Sequence, residues 1–385
     1  MFDIRTIPGA DKLNQAFVSA GFEIRLVGGA VRDLLLKETP KDFDFATDAT
    51  PAEMRKIAYA NSFGCIATGE QHGTMTLVVD GEVFEVTTLR IDVETDGRHA
   101  SVEFTRSFEH DAARRDLTFN AMSMDFAGKL YDYFDGQQDL ADRAVRFVGN
   151  ARQRVEEDYL RILRYFRFAA RFNSTPDEST LKMFNESTIQ TGLKTISVER
   201  YWLEMSKLFM AADAIRVLLL MQKYEVLKTI GIIGRFEAVA FAKADDEASK
   251  LSTFVPRAAN RKDADEFCRQ WKLSREITDK VVFLVSQRAA WASEFAIELA
   301  MANGIPRDYV VSWTKMADTS LVVFSENCDV PEFPVRGQDL LDLGLKPGPG
   351  LGSILKGMRD RWIATRFTAS RSALLGDLET FKAVA

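Results

Sequence analysis

Histidine is scarce in this sequence: only three occur in 385 residues, and the last is His110. A histidine-rich metallohydrolase site is therefore excluded anywhere after residue 110. A serine or cysteine hydrolase is also poorly supported, because its general base would have to be one of these three side chains. Cysteine is equally rare, and Cys65, Cys268 and Cys328 are too widely scattered to indicate a disulfide framework or a zinc site.

Long apolar runs are also missing. No segment approaches the ~18 apolar residues that a membrane-spanning helix needs, and the start MFDIRTIPGADKL lacks the basic-then-apolar pattern of a signal peptide. The net charge of −6 argues against binding nucleic acid over the whole surface, although a local basic groove remains compatible with it. We therefore expect a cytoplasmic enzyme or binding protein that does not associate with membranes.

The first third of the chain alternates strand and helix patterns, which suits a chain long enough for two or three domains. The expected strands are FEIRLVGG, DFDFAT and the two halves of TMTLVVDGEVFEVTTL, which join at Asp80-Gly81, and the expected helices are AVRDLLLKE and PAEMRKIAYANS. The polar stretch RIDVETDGRHASVEFTRS has little periodicity and is interpreted as a mobile loop. Amphipathic helices predominate from about residue 150. These patterns predict an α+β fold with a mixed head and an all-helical remainder.

Two carboxylates, Asp42 and Asp44, stand one residue apart in KDFDF. Alternate side chains of a strand face the same way, so these two should converge. On spacing alone, the simplest interpretation is a pair of exposed acids on a strand edge. The functional alternative is a hard-cation site, since Mg²⁺ commonly binds one or two protein carboxylates together with substrate phosphates. Glu85, on an expected neighbouring strand, is a third candidate.

Just upstream, LVGGAVRD places Gly28 and Gly29 between a strand and a helix. Glycines at such a junction let backbone N–H groups approach a phosphate, and the start of the helix favours negative charge. Arg32 would lie in the first helical turn, within reach of the same anion. A Gly-Gly turn alone more often caps a helix, but a phosphate cradle beside two metal-binding acids favours nucleotide chemistry.

The combination of GGAVRD and DFD resembles the polymerase-β-like nucleotidyltransferases, and specifically the class II tRNA nucleotidyltransferase and bacterial poly(A) polymerase family. Further segments resemble its motifs in the same order: RRDLTFNAMS (114–123), DYFDG (132–136), EEDYLRILRYFRFAARF (156–172) and SVERYWLEMSKLF (197–209). Two departures are visible: the glycine that usually follows the first helix is missing from LLLKETPKD, and Tyr133 and Asp135 replace a proline and a glycine.

The resemblance implies a polymerase-β-like nucleotidyltransferase head with a mixed sheet and helices, followed by an all-helical neck, body and tail. We expect the catalytic head at 1–145. A neck carrying a nucleotide-selecting helix is expected at 146–215. The body and tail, expected at 216–385, would bind tRNA.

The activity that the resemblance implies is CCA addition: metal-dependent transfer of CMP and AMP from CTP and ATP to the tRNA 3′ end, with release of pyrophosphate. Asp42, Asp44 and Glu85 would be catalytic, and the two aspartates would bind Mg²⁺, with Mn²⁺ as the alternative ion. The expected nucleotide-binding residues are Gly28, Gly29, Arg32, Arg115, Asp116, Asn120, Asp158, Arg161, Arg164 and Arg167. No protein partner is predicted.

The neck segment EEDYLRILRYFRF places Asp158 and Arg161 three residues apart, as neighbours on one helical face. The ordinary interpretation is an ion pair worth a few tenths of a kcal/mol. The family interpretation is that they offer donors and acceptors to the incoming base, so that the protein serves as template. Arg164 and Arg167 continue the ridge. Eight arginines, three acids and no lysine between residues 143 and 171 favour a phosphate-facing surface.

Several alternatives remain open. A bacterial poly(A) polymerase shares nearly all these motifs, although the long basic C-terminal tail of that branch is not seen. A partial enzyme that adds only CC or only A is also open. The segment 91–105, with Gly97, Arg98 and His99, resembles the family's flexible loop and argues against CC-only addition. From a different class, an inactive tRNA-binding maturation factor is disfavoured because both aspartates are present. Glu199 and Arg200 are interpreted as a helix cap and a structural salt bridge.

Overall fold

The computed structural model describes residues 3–95, 100–232, 237–256, 259–287, 293–317 and 319–382. The chain divides into two compact units, Met1–Ile233 and Gly234–Ala385. The expected mixed head and mostly helical remainder are confirmed. The division at residues 145 and 215 stays a prediction.

The strands all belong to the first unit. They are β1 (Ile24–Val27), β2 (Asp44–Thr47), β3 (Gly64–Gly69), β4 (Thr74–Val79), β5 (Glu82–Thr88), β6 (Arg90–Thr95), β7 (Ala100–Phe104), β8 (Ser123–Met124) and β9 (Leu130–Tyr131). Seven of them form one mixed sheet in the order β3-β4-β5-β2-β1-β8-β9, and β6 pairs with β7. Only the β2–β5 pairing of the seven-stranded sheet is parallel; the other pairings are antiparallel.

The helices of the first unit surround this sheet and continue beyond it. They are α1 (Ala10–Ser19), α2 (Gly29–Leu35), α3 (Pro51–Ala60), α4 (Phe108–Ala113), α5 (Gly136–Ala141), α6 (Ala151–Glu157), α7 (Leu160–Phe172), α8 (Glu178–Phe184), α9 (Ser187–Leu193), α10 (Val198–Phe209), α11 (Ala214–Lys223) and α12 (Val226–Thr229).

The expected hairpin at Asp80-Gly81 is confirmed. Both residues have positive φ, 54° and 88°, as a two-residue type I′ turn requires, and they join β4 to β5 in antiparallel register. Since β5 then runs parallel to β2, Asp44 and Glu85 become direct neighbours in the sheet. The turn fixes the register of β5 against β4, and the separate parallel pairing with β2 places Glu85 beside Asp44.

The mobile-loop interpretation of RIDVETDGRHASVEFTRS is wrong for most of its length, because the segment forms the paired strands β6 and β7. Apolar and polar residues alternate in RIDVET and ASVEF with the strand period of two, a pattern that the many charges obscure. Gly97, Arg98 and His99 lie outside the described residues.

Aromatic side chains join the sheet-bearing part to α7. The ring centroid of Phe119 lies 5.1 Å from that of Phe168 and 5.2 Å from that of Phe172, both edge-on. Phe147 stacks on Tyr165 of the same helix at 5.4 Å. Edge-on and offset stacked rings add favourable energy to burial itself, so α7 is fixed against the segments that precede it.

The second unit is helical throughout its described residues. Its helices are α13 (Ala238–Lys243), α14 (Glu247–Ser252), α15 (Arg261–Gln270), α16 (Arg275–Ser286), α17 (Glu294–Ala302), α18 (Arg307–Met316), α19 (Val322–Asn327), α20 (Gly337–Asp342), α21 (Pro349–Ala364), α22 (Arg371–Gly376) and α23 (Leu378–Lys382). One core cluster surrounds the buried side chains of Met358 and Trp362, and a second surrounds Ile297 and Val310. No helix among the described residues is long and apolar enough to cross a membrane.

Helix α2 ends in a glycine-type cap that contains a lysine. Lys37 has φ of 62°, and the Lys37 and Glu38 N–H groups donate to the carbonyls of Leu34 and Asp33 at 3.0 and 2.8 Å, the pattern of a Schellman motif. This is the position at which the related family usually has glycine. A side chain in the left-handed region costs energy that glycine avoids.

We expect Lys37→Gly to raise the free energy of unfolding by about 1 kcal/mol, because it relieves this backbone strain. Thermal and urea unfolding measure the change. The matched control is Lys56→Gly, at an exposed position inside α3, which should instead destabilise the protein by about 1 kcal/mol. A lower unfolding midpoint for Lys37→Gly would contradict the strain argument.

Candidate active site

A cleft of about 720 Å³ in the first unit brings most of the sequence-predicted residues together. Its lining contains nine cationic side chains and four carboxylates, so its net charge suits a polyanionic ligand. The predicted residues in the lining are Gly28, Gly29, Arg32, Asp44, Glu85, Arg115, Asp116, Asn120, Asp158, Arg161, Arg164 and Arg167. Asp42 is the predicted residue that is absent from it.

Asp44 and Glu85 are direct neighbours across β2 and β5. Asp44 is the exposed first residue of β2, yet partial desolvation in the cleft, followed by the charges of Glu85 and Asp42, raises its pKa above the usual range. Asp42 is exposed and precedes β2, so the expected strand begins two residues later than its sequence suggests, and the same-face argument does not apply. Among the described residues, none of these three carboxylates has an ion-pair partner.

This donor set fits a divalent cation. Carboxylate oxygens are the ligands that hard cations prefer, and a cation would offset the repulsion that raises the Asp44 pKa. Within the described part of the chain, no three His, Cys, Asp or Glu side chains form a complete metal-binding cluster. The fit is therefore to an ion such as Mg²⁺, which takes one or two protein carboxylates and completes its shell from substrate and water.

Gly28 makes a close approach possible on the other side of the cleft. Its φ of 68° lies in the region that favours glycine, and a Cβ there would lie 2.8 Å from Nη1 of Arg115. That nitrogen donates to the carbonyl of Asn120 at 3.3 Å. The absence of a side chain at Gly28 therefore leaves room for the guanidinium of Arg115 beside the start of α2.

A chain of buried hydrogen bonds connects the head to α7. Arg32 Nη1 donates to Asn120 Oδ1 at 2.7 Å, and Asn120 Nδ2 donates to Asp116 Oδ1 at 3.2 Å. Asp116 Oδ2 in turn accepts from Arg164 Nε at 2.5 Å. Burial raises the pKa of Asp116, but the charge and hydrogen bond of Arg164 outweigh it, so the pKa lies below its usual range. Asp116 thus stays ionised between Asn120 and Arg164.

Glu204 of α10 is a further buried carboxylate, which the sequence analysis missed. Its Oε1 lies 3.5 Å from Arg164 Nη1, and its Oε2 lies 2.6 Å from Arg167 Nε in an ion pair without hydrogen-bond geometry. Burial lowers the pKa of Arg167 to about 10, so it stays charged at neutral pH. The signal that could have revealed Glu204 is an acid on the buried face of an amphipathic helix, where a counter-charge is needed.

The predicted pairing of Asp158 and Arg161 on one helical face is wrong. The helix breaks at Asp158, whose extended backbone separates α6 from α7. Arg161 pairs with Glu157 at 2.8 Å, and it donates to the backbone carbonyls of Arg154 and Arg114 at 2.9 and 3.1 Å. Both side chains nevertheless line the cleft.

The turn between α6 and α7, which contains Asp158, is stabilised by residues that are distant in the sequence. A Cβ at Gly192 would overlap the ring of Tyr159, so only glycine lets α9 pack this closely against the corner. Asp158 Oδ1 accepts from the N–H of Leu160 at 3.1 Å, and Asp158 Oδ2 accepts from Arg200 Nη2 at 2.7 Å. Arg200 therefore forms a salt bridge, as expected, but it does so inside the cleft.

Comparison with known proteins identifies relatives over nearly the whole chain. Residues 24–146 match the family described as the poly A polymerase head domain. The mitochondrial CCA tRNA nucleotidyltransferases 1 of Danio rerio and Homo sapiens are 40% and 36% identical, over 95% of this chain and 89% of each relative. The CCA-adding enzyme of Lactococcus lactis subsp. cremoris (strain MG1363) is 32% identical, over 96% and 98% of the two chains. The crystal structure of the Bacillus stearothermophilus CCA-adding enzyme in complex with CTP is 26% identical, with a TM-score of 0.72 and 98% of each chain covered.

The raised pKa of Asp44 predicts how stability depends on pH. An acid whose pKa rises on folding destabilises the folded protein when ionised, and this destabilisation is absent below the pKa of the unfolded chain. We expect Asp44→Asn to raise Tm at about pH 7.5 in the presence of a chelator, and the increase to disappear as the pH falls to about 4.

Scanning calorimetry across this pH range measures the difference, and Mg²⁺ should raise the Tm of the wild type more than that of Asp44→Asn. Glu82→Gln removes one negative charge from an exposed position of β5 and serves as the control. An Asp44→Asn variant that is no more stable at neutral pH than this control would contradict the electrostatic argument.

Proposed function

The chain belongs to the class II CCA-adding tRNA nucleotidyltransferase family, and from this premise we propose that it adds CMP and AMP from CTP and ATP to the tRNA 3′ end, releasing pyrophosphate. The observation that supports the proposal most directly is one cleft whose lining includes the adjacent carboxylates Asp44 and Glu85 together with nine cations. This combination suits phosphoryl transfer, in which catalysis consists largely of positioning and of stabilising negative charge.

Nucleotidyltransferases of this family generally depend on a metal ion. Asp42 and Asp44 would hold it, with Mg²⁺ as the proposed ion and Mn²⁺ as the alternative. When bound, such an ion supplies Lewis-acid activation of the attacking hydroxyl and stabilises the leaving pyrophosphate. The chain's own contribution is the close pair Asp44–Glu85, whose repulsion favours a cation, and Asp42, whose charge adds to that repulsion.

We assign the triphosphate to the basic side of the cleft. Arg32 and Arg115 lie beside Gly28 and Gly29, so their guanidinium groups stand next to the start of α2, where phosphate oxygens would be bound. Arg164 and Arg167, further along, would also bind nucleotide, with Asp116 and Asn120 as hydrogen-bonding partners for the ribose. What supports this assignment is that the hydrogen-bonded chain through Asn120 and Asp116 orients the guanidinium groups of Arg32 and Arg164 before a ligand arrives.

Base selection is assigned to Asp158 and Arg161. A carboxylate offers acceptors and a guanidinium offers a planar set of donors, so together they can pair with the edges of cytosine and adenine. Guanine or uracil would leave buried polar groups without partners, which is costly. Their separate anchoring, by Arg200 and by Glu157, supports a role as two independently positioned groups.

The division of labour along the chain follows from these assignments. We propose that 1–145 carries the chemistry, that 146–215 selects the nucleotide, and that 216–385 contacts tRNA. A second cleft, of about 460 Å³, supports the last assignment because Arg307, Arg336 and Arg359 lie in its lining. A cytoplasmic location stays a prediction, since the similar proteins include both mitochondrial and bacterial enzymes.

Incubating the purified protein and Mg²⁺ with tRNA that lacks its CCA end, and with each of the four nucleoside triphosphates, tests the proposed function. We expect CTP and ATP to be incorporated in the order C, C, A. Poly(A) growth on any RNA without use of CTP would replace the proposal with a poly(A) polymerase. Incorporation that stops after CC, or that uses ATP alone, would identify a partial enzyme.

Asp42→Ala and Asp44→Ala should each lower incorporation by at least about 10³-fold, because the charge that holds the ion is lost. Their affinity for tRNA should remain within about threefold of the wild type, as measured by filter binding. Asp142→Ala, at an exposed position after α5, is the control and should remain fully active. Full activity in either test variant would refute the metal assignment, and a loss of all tRNA binding would indicate a structural role.

Asp158→Ala should lower the ratio of kcat/KM for CTP to that for UTP by about tenfold, since the variant no longer distinguishes the two base edges. Single-nucleotide incorporation kinetics measure this ratio. The control is Glu156→Ala, an exposed acid two residues away whose ion pair lies on the surface. An unchanged CTP/UTP ratio, with both rates lowered equally, would contradict the assignment of base selection.

A further inference from the structure

Asp111 is a buried carboxylate behind the cleft that none of the assignments above uses. It lies on α4, is 3% exposed, and does not line the cleft. The three residues whose N–H groups its carboxylate accepts, Arg90, Arg114 and Arg115, do line the cleft. A buried charge of this kind is retained only where partners compensate it.

The two oxygens of Asp111 divide these partners between them. Oδ1 accepts from Arg114 Nε at 2.9 Å and from the backbone N–H of Arg90 at 3.3 Å. Oδ2 accepts from Arg115 Nη2 at 3.1 Å and from Arg115 Nε at 3.4 Å. The carboxylate therefore accepts hydrogen bonds along one edge of the Arg115 guanidinium. It also accepts one from the backbone of Arg90, the first residue of β6.

The hydrogen bonds from Arg115 to Asp111 determine which nitrogen of Arg115 faces the cleft. With Nε and Nη2 directed at Asp111, Nη1 is left beside Gly28 and the carbonyl of Asn120. A guanidinium held along one edge presents its remaining N–H groups in a fixed direction, whereas a free arginine side chain samples many rotamers. The position of Asp111 therefore decides where Arg115 meets an anion.

Helix α4 is itself firmly placed. Phe108, one turn before Asp111, is buried in a cluster with Val27, Ala46 and Leu89, which belong to β1, β2 and the residue after β5. The guanidinium of Arg25 also stacks on the ring of Phe108 at 3.8 Å. These contacts fix the position of α4, and with it Asp111, relative to the strands that carry Asp44 and Glu85.

We propose that Asp111 is a positioning residue, which holds Arg115 and Arg114 in the orientation that receives the triphosphate of the incoming nucleotide. This inference rests on the proposed function. Asp111 touches neither nucleotide nor tRNA and acts through the two arginines. Because every nucleoside triphosphate has the same phosphates, its effect is the same for CTP and ATP.

Charge and orientation predict opposite results when Asp111 is neutralised. Asp111→Asn adds one net positive charge near the cleft, which by itself would strengthen anion binding. The same change releases the edge of Arg115, which weakens anion binding if orientation dominates. We expect weaker binding: the Kd for inorganic triphosphate should rise at least about tenfold, the loss that corresponds to one charge-assisted hydrogen bond.

The test measures inorganic triphosphate binding by calorimetry, together with KM and kcat for CTP and ATP. For Asp111→Asn we expect both KM values to rise by the same factor as the Kd, while kcat and the KM for tRNA change less than about threefold. Glu109→Gln, an exposed acid on the same helix, is the matched control and should leave all these values unchanged. Tighter or unchanged triphosphate binding in Asp111→Asn overturns the inference.

Asp111→Glu is a second test variant, which keeps the inference testable if Asp111→Asn does not fold. It keeps the charge but moves the carboxylate by one methylene, so a positioning role predicts the same loss of triphosphate affinity, and a counter-charge role predicts none. The wild type supplies a third readout: the Arg115 side-chain N–H resonance should already be ordered and slow to exchange before ligand is added, and an averaged resonance overturns the inference.

The outcomes separate this inference from the proposed function. If the wild type adds CCA but the Asp111 variants bind inorganic triphosphate normally, only the positioning role fails. If the wild type incorporates no nucleotide, the proposed function fails, whereas the calorimetric comparison of triphosphate binding still measures the role of Asp111.

Discussion

Mutual repulsion among the cations of one cleft is the constraint on which this structure depends. Three buried carboxylates offset it: Asp111 for Arg114 and Arg115, Asp116 for Arg164, and Glu204 for Arg164 and Arg167. Breaking a buried pair by removing one partner typically costs about 3–5 kcal/mol, because the remaining charge is left uncompensated. The same carboxylates orient the guanidinium groups, so stability and ligand geometry are coupled in the same contacts.

The opposite condition holds at the far side of the cleft. Asp44 and Glu85 lie side by side in the sheet without an ion-pair partner among the described residues, and desolvation together with the charges of Glu85 and Asp42 raises the pKa of Asp44. Buried carboxylates compensate part of the charge of the arginines in the cleft. Asp44 and Glu85 in the same cleft have no such ion pairs among the described residues. A metal ion bound with a nucleoside triphosphate satisfies both, since its cation meets the carboxylates and its phosphates meet the arginines.

Packing, more than charge, determines where these groups lie relative to one another. Phe119 follows Asp116 closely in the sequence and packs on Phe168 and Phe172, and Arg164 and Arg167 of the same helix line the cleft. At the start of that helix, the ring of Tyr159 fits against Gly192 and turns the chain at Asp158. The aromatic residues of α7 therefore bring side chains more than a hundred residues apart in the sequence into one site.

The sequence alone determined the features that depend on local periodicity. The strand alternation and the turn at Asp80-Gly81 predicted the β4–β5 hairpin that carries Glu85, and the three-residue spacing of arginines predicted a basic helical face. The break at Asp158, the late start of β2 and the pairing of Arg161 with Glu157 were decided by the tertiary structure. In the sequence, Asp111 looks like an ordinary acid of a polar helix, and Glu204 differs only in lying on the apolar face of an amphipathic helix. Their roles appear only when folding buries them against arginines from other elements, because the cost of an uncompensated buried charge exists only in the folded state.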